Sequence, residues 1–191
     1  MKKSKTLEFL LESQRFKNEE FEKMPIEQKR LVVIQDALDS IALGIVEPKV
    51  GDYVVVTSRE LSRDTSAYES NIKDNPTAEC KVCGLGGLLL STCRFGNILN
   101  YTEAQSTLMS GYKFKLFNSL FSYKQLHLIE GCFEGGMTLY SYEKVPKQFK
   151  MLKEDICAQY YSMFTNDTDR LVSILYNMLY NNGIFKPEQD I

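Results

Sequence analysis

The 191-residue sequence contains no tryptophan, a single histidine and no long hydrophobic segment. Its longest apolar run, residues 83–90, includes three glycines and is far shorter than the ~20 residues that a membrane-spanning helix needs. The basic residues at positions 2, 3 and 5 resemble the start of a signal peptide, but Glu8 and Glu12 interrupt the apolar segment that should follow. We therefore expect neither a membrane anchor nor an export signal.

A strong charge of either sign is also lacking, since 23 Lys and Arg residues balance 25 Asp and Glu residues to a net charge of -2. This balance argues against nucleic-acid binding over the whole surface and against mimicry of a polyanion, and leaves only local nucleic-acid contact open. Five cysteines are an odd number, which in a chain without an export signal predicts reduced thiols rather than a disulfide framework. The expected location is the cytoplasm, specifically the cytosol of a host cell.

The composition is that of an ordinary globular domain, with 43% hydrophobic and 12% aromatic residues. A chain of this length buries about 70% of its extended-chain surface on folding, enough for a core without disulfides or metal. We therefore predict a single compact domain over residues 1–191, mainly α, with about six helices and at most one short β-ribbon. No cofactor is expected.

Helical periodicity supports this fold class, because apolar residues recur at helical spacing in six segments. Ser122 and Gln125 fit a capping box, and Asn166 or Asp167 fits an N-cap. The predicted helices cover residues 1–24 (an amphipathic N-terminal helix), 26–43, 76–95, 122–134, 147–164 and 167–182. The seam of the second helix consists of Leu31, Ile34, Leu38 and Ile41, before a glycine cap at Gly44.

Two segments do not follow this pattern. Residues 52–57 are β-branched and bounded by turns, so they predict a strand that could pair with residues 137–142 as a small ribbon. Residues 58–78 are polar and predict a long loop or a marginal helix. A connection of this length is either a disordered surface excursion or a partner-binding surface.

Cys80 and Cys83 have the spacing of half a zinc site, and Cys93 with His127 would complete a tetrahedral set. The same Cys-x-x-Cys spacing could instead form a thiol redox motif at a helix N-terminus. Both alternatives stay open beside the interpretation of these cysteines as small buried hydrophobic residues. His127 is the sole imidazole, and Glu130 could hold it in a surface ion pair.

The interpretation of Cys80 and Cys83 as buried packing residues assumes that residues 80–91 form a single helix. Such a helix would align a stripe of small side chains along one face, against which another helix could approach closely. A phosphate-binding role for residues 84–87 lacks the preceding strand and the glycine spacing that a dinucleotide fingerprint requires. The stripe consists of Cys80, Cys83, Gly84, Gly87 and Ser91.

The predicted partner-binding surface has two parts. One consists of basic and aromatic residues of the polar segment 58–78, and the other is a lysine ridge in which a lysine recurs every three residues from Lys144 to Lys153. A solvated face is the alternative for the ridge, because Glu143, Glu154 and Asp155 dilute its charge. The predicted contact residues are Arg59, Arg63, Tyr68, Lys73, Lys144, Lys147, Lys150 and Lys153.

Three passages resemble a loose group of small uncharacterised proteins from bacteria and their phages. Residues 80–88 (CKVCGLGGL) match a Cys-x-x-Gly-Ala-Leu-like helix, although glycine replaces alanine after Gly86. Residues 129–134 (IEGCFE) match an Ile-Glu-x-x-Phe-Glu helix, and residues 170–183 match an Arg-Leu-x-x-Ile helix that ends in Asn-x-Gly. The resemblance implies a helical phage protein, and it carries no activity or catalytic residue.

From these features we hypothesise a non-enzymatic protein of a phage or mobile element that binds a host protein or ribonucleoprotein. Its expected role is interference with host defence, for example as an anti-CRISPR inhibitor. One alternative is a zinc-binding protein or thiol-dependent enzyme that uses Cys80, Cys83, Cys93 and His127. A second is an accessory protein that self-associates through the seam at residues 31–41.

Overall fold

A computed structural model describes residues 19–51, 54–57, 79–95, 114–135 and 147–190, and it is mainly helical. The predicted fold class is thereby confirmed. None of its helices within these ranges has the length and hydropathy needed to cross a bilayer. The helices are α1 (Glu19–Lys23), α2 (Ile26–Ala42), α3 (Gly84–Phe95), α4 (Phe114–Leu120), α5 (Tyr123–Glu134), α6 (Lys147–Ser162) and α7 (Asp167–Tyr180), followed by a 3-10 turn at Pro187–Gln189.

Within the described residues, the β-structure is a three-stranded sheet in the order β1-β3-β2, formed by β1 (Val46–Pro48), β2 (Val54–Thr57) and β3 (Glu79–Val82). β1 runs parallel to β3, with Val46 beside Cys80, and β2 runs antiparallel to β3, with Val54 beside Val82. The strand predicted at 52–57 exists, but its partner is β3. The proposed partner, residues 137–142, lies outside the described residues.

The prediction of one helix over residues 76–95 is wrong in its first part, because Glu79–Val82 is a strand. Cys80 and Val82 are buried as the central strand of the sheet, and the helix begins only at Gly84. The stripe is therefore divided, since Cys80 lies on β3 and only Gly84, Gly87 and Ser91 share α3.

The close approach predicted for these glycines does occur at Gly84. A Cβ atom placed on Gly84 would lie 3.2 Å from the Cβ of Phe133, tighter than nearly all real contacts of that kind. A side chain at this position would therefore require Phe133 to shift by a few tenths of an ångström. At Gly87 the same atom would meet Val82 at an ordinary 3.6 Å.

Helix α2 matches its prediction, and Gly44 follows its end with the positive φ of 65° that favours glycine. Ile34 and Leu38 of the seam are buried, and Leu31 and Ile41 are half-buried. Helices α7 and α3 pack against α2. Ile34 and Leu38 thus belong to the core of this chain, and self-association through the seam stays a prediction.

Both predicted caps are present. Ser122 Oγ accepts the Gln125 amide at 3.3 Å to open α5, and Asn166 Oδ1 accepts the Asp169 amide at 2.7 Å to open α7. Gly135, with a φ of 78°, ends α5 in the left-handed conformation. The side chain of Gln125 binds the chain beyond α7 and does not complete the capping box.

Helix α5 is central to the arrangement of the C-terminal half. Cys132 of α5 contacts Cys157 of α6, and Gly135 lies against Tyr161 further along, so these two helices run parallel. Gln125, near the start of α5, reaches Phe185 beyond the end of α7. Since the end of α5 lies beside the start of α7, these two helices run antiparallel.

Candidate functional site

The residues predicted to contact a partner all have side chains outside the described part of the chain. Five belong to the ranges 58–78 and 136–146, which the structure does not describe. The other three have backbone positions in the first turns of α6, where the side chains are not described. The first group is Arg59, Arg63, Tyr68, Lys73 and Lys144, and the second is Lys147, Lys150 and Lys153. Their role as a contact surface stays a prediction.

The alternative zinc ligands lie in different parts of the fold: Cys80 on β3, Cys83 between β3 and α3, and His127 on α5, with the Cys93 side chain undescribed. Among the side chains that the structure describes, no three His, Cys, Asp or Glu residues form a group that could hold a metal ion. Cys80, Cys83 and His127 therefore do not supply three of the four expected ligands.

The two cysteines also have the wrong environment for nucleophilic chemistry. Burial raises the pKa of Cys80 to about 12 and that of Cys83 to about 12. Cys83 Sγ lies 3.4 Å from the Gly86 amide, which donates to it, but this contact lowers the pKa less than burial raises it. Both residues are thiols at neutral pH, and a thiol is a weak nucleophile compared with a thiolate.

A cluster of charged side chains lies where the parallel strands β1 and β3 end. The loop 49–51 leaves β1 there, and two carboxylates from different helices hold its backbone. Asp167 Oδ2, at the start of α7, accepts the Val50 amide at 3.0 Å, and Glu134 Oε2, at the end of α5, accepts the Gly51 amide at 2.9 Å. The cluster thus joins the sheet to two helices.

Arg170 is the cation of this cluster and is only 2% exposed. Its Nη1 donates to Asp167 Oδ1 at 2.9 Å and to the Phe133 carbonyl at 3.2 Å, and its Nη2 donates to the Phe164 carbonyl at 3.4 Å. The guanidinium lies 3.8 Å from the ring centre of Tyr161. The Phe133 carbonyl lies at the C-terminal end of α5, where the helix dipole favours a positive charge, and the Phe164 carbonyl lies just after the end of α6.

Glu130, one helical turn before Glu134, is only 3% exposed. Burial, followed by the nearby Glu134 charge, raises the pKa of Glu130 to about 7. One of its oxygens, Oε2, has no hydrogen-bond partner within the part of the chain that the structure describes. A carboxyl group in this setting is able to hold a proton near neutral pH.

The charged groups of the cluster interact with other parts of the same chain. Arg170 and Glu130 are buried, and the bonds of Asp167, Glu134 and Arg170 connect parts of the same chain. Raised pKa values of carboxyl groups often mark catalytic sites, but structural networks produce them as well. Here the described geometry favours the second role, a junction that fixes the loop 49–51.

These charged residues were not predicted from the sequence to form a site. Glu130, Glu134 and Arg170 occur in the motifs that carry the resemblance, as the charged members of IEGCFE and of the Arg-Leu-x-x-Ile helix. Helical spacing also places Arg170 on the same side of α7 as the apolar Ile174 and Met178, which are buried. A charged residue such as Arg170 on the apolar side of a helix is the feature of the sequence that could have indicated this site.

The outer side of α7 carries a different candidate, the tyrosine pair Tyr176 and Tyr180. These residues are one helical turn apart, and they are 51% and 85% exposed. The opposite side of the same helix is buried through Leu171, Ile174 and Leu175.

Comparison of the chain with protein-family models, curated proteins and solved structures gives no match.

Proposed function

We propose that this chain is a non-enzymatic interaction protein of a phage or mobile element, acting in the host cytosol. It binds a host protein or ribonucleoprotein and interferes with host defence, and a CRISPR nuclease is the first target to test. The observation that carries the proposal is the exposure of Tyr180, 85%, beside Tyr176 on a regular helix. Nothing in the comparisons bears on this choice.

Tyrosine supports a binding role for a physical reason. Its ring contributes a large apolar contact area, its hydroxyl keeps a polar partner, and only two side-chain torsions are immobilised on binding. Exposed tyrosines on a firm helix therefore bind a partner with little loss of conformational entropy. Leu171 and Ile174 anchor the opposite side of α7 in the core, so the helix itself need not rearrange.

The described cysteines support the non-enzymatic part of the proposal. Cys80 and Cys83 are buried thiols with a raised pKa, which is unfavourable for nucleophilic catalysis. The buried carboxyl and guanidinium groups at residues 130 and 170 lie inside the fold, where Arg170 bonds to backbone carbonyls. These features agree better with a binding scaffold than with a thiol-dependent enzyme.

The test is a DNA-cleavage assay in which purified defence nucleases, CRISPR ribonucleoproteins among them, are titrated with the full-length protein. The variant Tyr176→Ala/Tyr180→Ala is compared with Tyr123→Ala, which removes a partly exposed tyrosine from α5. We expect inhibition by the wild type and by Tyr123→Ala. The double variant should bind about 30-fold more weakly, as expected when an interface loses about 2 kcal/mol of tyrosine contacts.

Two results would contradict the proposal. The first is that no nuclease in the assay is bound or inhibited by the wild-type protein. The second is inhibition that the double variant retains in full, which would remove the tyrosine pair from the interface. A circular-dichroism spectrum and a thermal unfolding curve for each variant confirm that the fold is intact.

A further inference from the structure

Cys132 of α5 and Cys157 of α6 face each other in the interface between these two helices, and both are buried. Their Sγ atoms are 3.5 Å apart. A disulfide has a sulfur–sulfur distance of about 2.05 Å, so the two atoms are about 1.5 Å from bonding distance. Rotation of the two side chains is the smallest movement that could close this gap.

The packing of α5 and α6 keeps these sulfurs opposite each other. Beyond the cysteines, Gly135 follows the end of α5 and lies against the ring of Tyr161, where an added Cβ would be only 3.2 Å from the ring. The lack of a side chain at Gly135 therefore allows the ring of Tyr161 to approach the backbone closely. The contact of Cys132 with Cys157 and that of Gly135 with Tyr161 place α5 and α6 side by side at both positions.

The Cys-x-x-Cys pair is placed differently. Cys80 lies on the central strand of the sheet, and Cys83 Sγ accepts the Gly86 amide at the start of α3. The two cysteines of the Cys-x-x-Cys motif thus lie on a strand and at the start of a helix. Among the described residues, the sulfur–sulfur contact is instead between Cys132 and Cys157, which are 25 positions apart in the sequence.

We propose that Cys132 and Cys157 form a modification site at which a peroxide produces a disulfide between α5 and α6. One sulfur, as its thiolate, attacks the peroxide oxygen, the O–O bond breaks, and a sulfenic acid and hydroxide result. The second sulfur then displaces water from the sulfenic sulfur and loses its proton. In sum, two thiols lose two electrons and two protons, and one hydrogen peroxide becomes two waters.

The environment of the pair determines which oxidant reaches it. The hydrogen bond with Cys157, followed by burial, raises the pKa of Cys132, so the pair is slow to react at rest. Hydrogen peroxide is small and uncharged, whereas glutathione disulfide is bulky and charged. We therefore expect faster oxidation by hydrogen peroxide than by glutathione disulfide at equal concentration.

The new bond would close a chain segment and restrict the unfolded state. For a loop of this size, the disulfide is expected to raise the midpoint of thermal unfolding by about 5 °C or more. The cross-link also ties the segment between α5 and α6 at both ends. The resulting protein is a form of the same fold with α5 and α6 joined covalently.

The test uses the full-length protein at low concentration, reduced and then treated with hydrogen peroxide. Expected results are the loss of two thiols per chain, a linked peptide that contains Cys132 and Cys157, recovery with dithiothreitol and a higher unfolding midpoint. Cys157→Ser should abolish the linked peptide, and the matched variant Cys80→Ser should retain it.

Peptide mapping of the wild-type protein decides the matter even if a variant fails to fold. The proposal is overturned if the thiol count stays unchanged, if the linkage joins another pair or two chains, or if sulfinic acid accumulates without a linked peptide. Faster oxidation by glutathione disulfide than by hydrogen peroxide would overturn the stated role of burial.

Discussion

The two ends of the antiparallel pair α5 and α7 hold neighbouring backbone by different chemistry. At one end, the carboxylates of Glu134 and Asp167 bind the amides of the loop 49–51, with Arg170 beside them. At the other end, neutral amide side chains bind the chain after α7. At the charged end the side chains that bind the backbone are ionisable, whereas at the amide end they are not.

The amide end uses two side chains in the same way. Gln125 Oε1 accepts the Phe185 amide at 2.6 Å, and its Nε2 donates to the Phe185 carbonyl at 3.2 Å. Asn177 repeats the arrangement on the next residue, since its Oδ1 accepts the Lys186 amide and its Nδ2 donates to the Lys186 carbonyl. Each amide thus supplies the two bonds that a neighbouring strand would supply.

The largest expected effect comes from the charged end, where Arg170→Met removes the cation. Met keeps much of the volume but leaves Asp167 and the carbonyls of Phe133 and Phe164 without their donor. We expect the free energy of unfolding to fall by about 3–5 kcal/mol, as when a buried ion pair loses one partner. Urea denaturation measures this loss, and Lys124→Met, on the exposed side of α5, is the control. A loss as small as that of the control would show that Arg170 is not essential to the junction.

Glu130→Gln tests the pH dependence of the same end. The pKa of Glu130 is raised from 4.5 to about 7 in the folded protein, so the folded state binds the proton more tightly than the unfolded state. The wild type should therefore lose stability as the pH rises from about 4.5 to about 7, by up to about 3 kcal/mol, and change no further above that range. Because a glutamine side chain carries no charge at any of these pH values, the Glu130→Gln variant should lack this loss.

Urea denaturation at several values between pH 4.5 and pH 8 gives the difference between Glu130→Gln and the wild type. The exposed Glu27→Gln serves as the control, because its curve should run parallel to that of the wild type. Parallel curves for Glu130→Gln as well would mean that folding does not raise the pKa of Glu130.

At the amide end, Asn177→Leu should cost about 2–3 kcal/mol, because the Lys186 amide, the Lys186 carbonyl and the Asp190 carboxylate each lose a hydrogen bond worth about 1 kcal/mol. The loss should be the same at pH 6 and pH 8, since the amide group is neutral. Asn118→Leu, on the exposed side of α4, is the matched control in the same urea experiments. A pH-dependent loss would break the contrast between the two ends.

The smallest effect on stability is expected for Glu134→Gln, which keeps an oxygen to accept the Gly51 amide. The change should stay within about 1 kcal/mol at neutral pH, because a weaker hydrogen bond is offset by less repulsion of Glu130. Removal of the negative charge should lower the pKa of Glu130. The midpoint of the pH-dependent loss of stability should therefore move to lower pH, and an unchanged midpoint would contradict the coupling of these carboxyl groups.

The parts of the fold that were predicted from the sequence are those with local signals. The ends of α2, α5 and α7 follow from periodicity, the caps Ser122 and Asn166, and the glycines at 44 and 135. Each of these signals depends on residues within a few positions of one another. Such contacts form within a single segment, so a single segment encodes them.

The strand β3 was missed because its pairing is not local. Residues 79–82 precede a glycine-rich helix without a strong break, and their partners Val46–Pro48 and Val54–Thr57 come from earlier parts of the chain. The charged cluster was missed for the same reason, as it requires a loop, the end of α5 and the start of α7 to meet. Its members look like ordinary helix residues until these segments are brought together.

The sequence alone determined the mainly helical class and the ends of α2, α5 and α7, because composition, periodicity and capping act over short distances. Tertiary structure decided which cysteines face each other, which carboxylates meet the loop after β1 and which tyrosines stay exposed. Those outcomes depend on how distant helices pack, and helical spacing only restricts which side of each helix is buried.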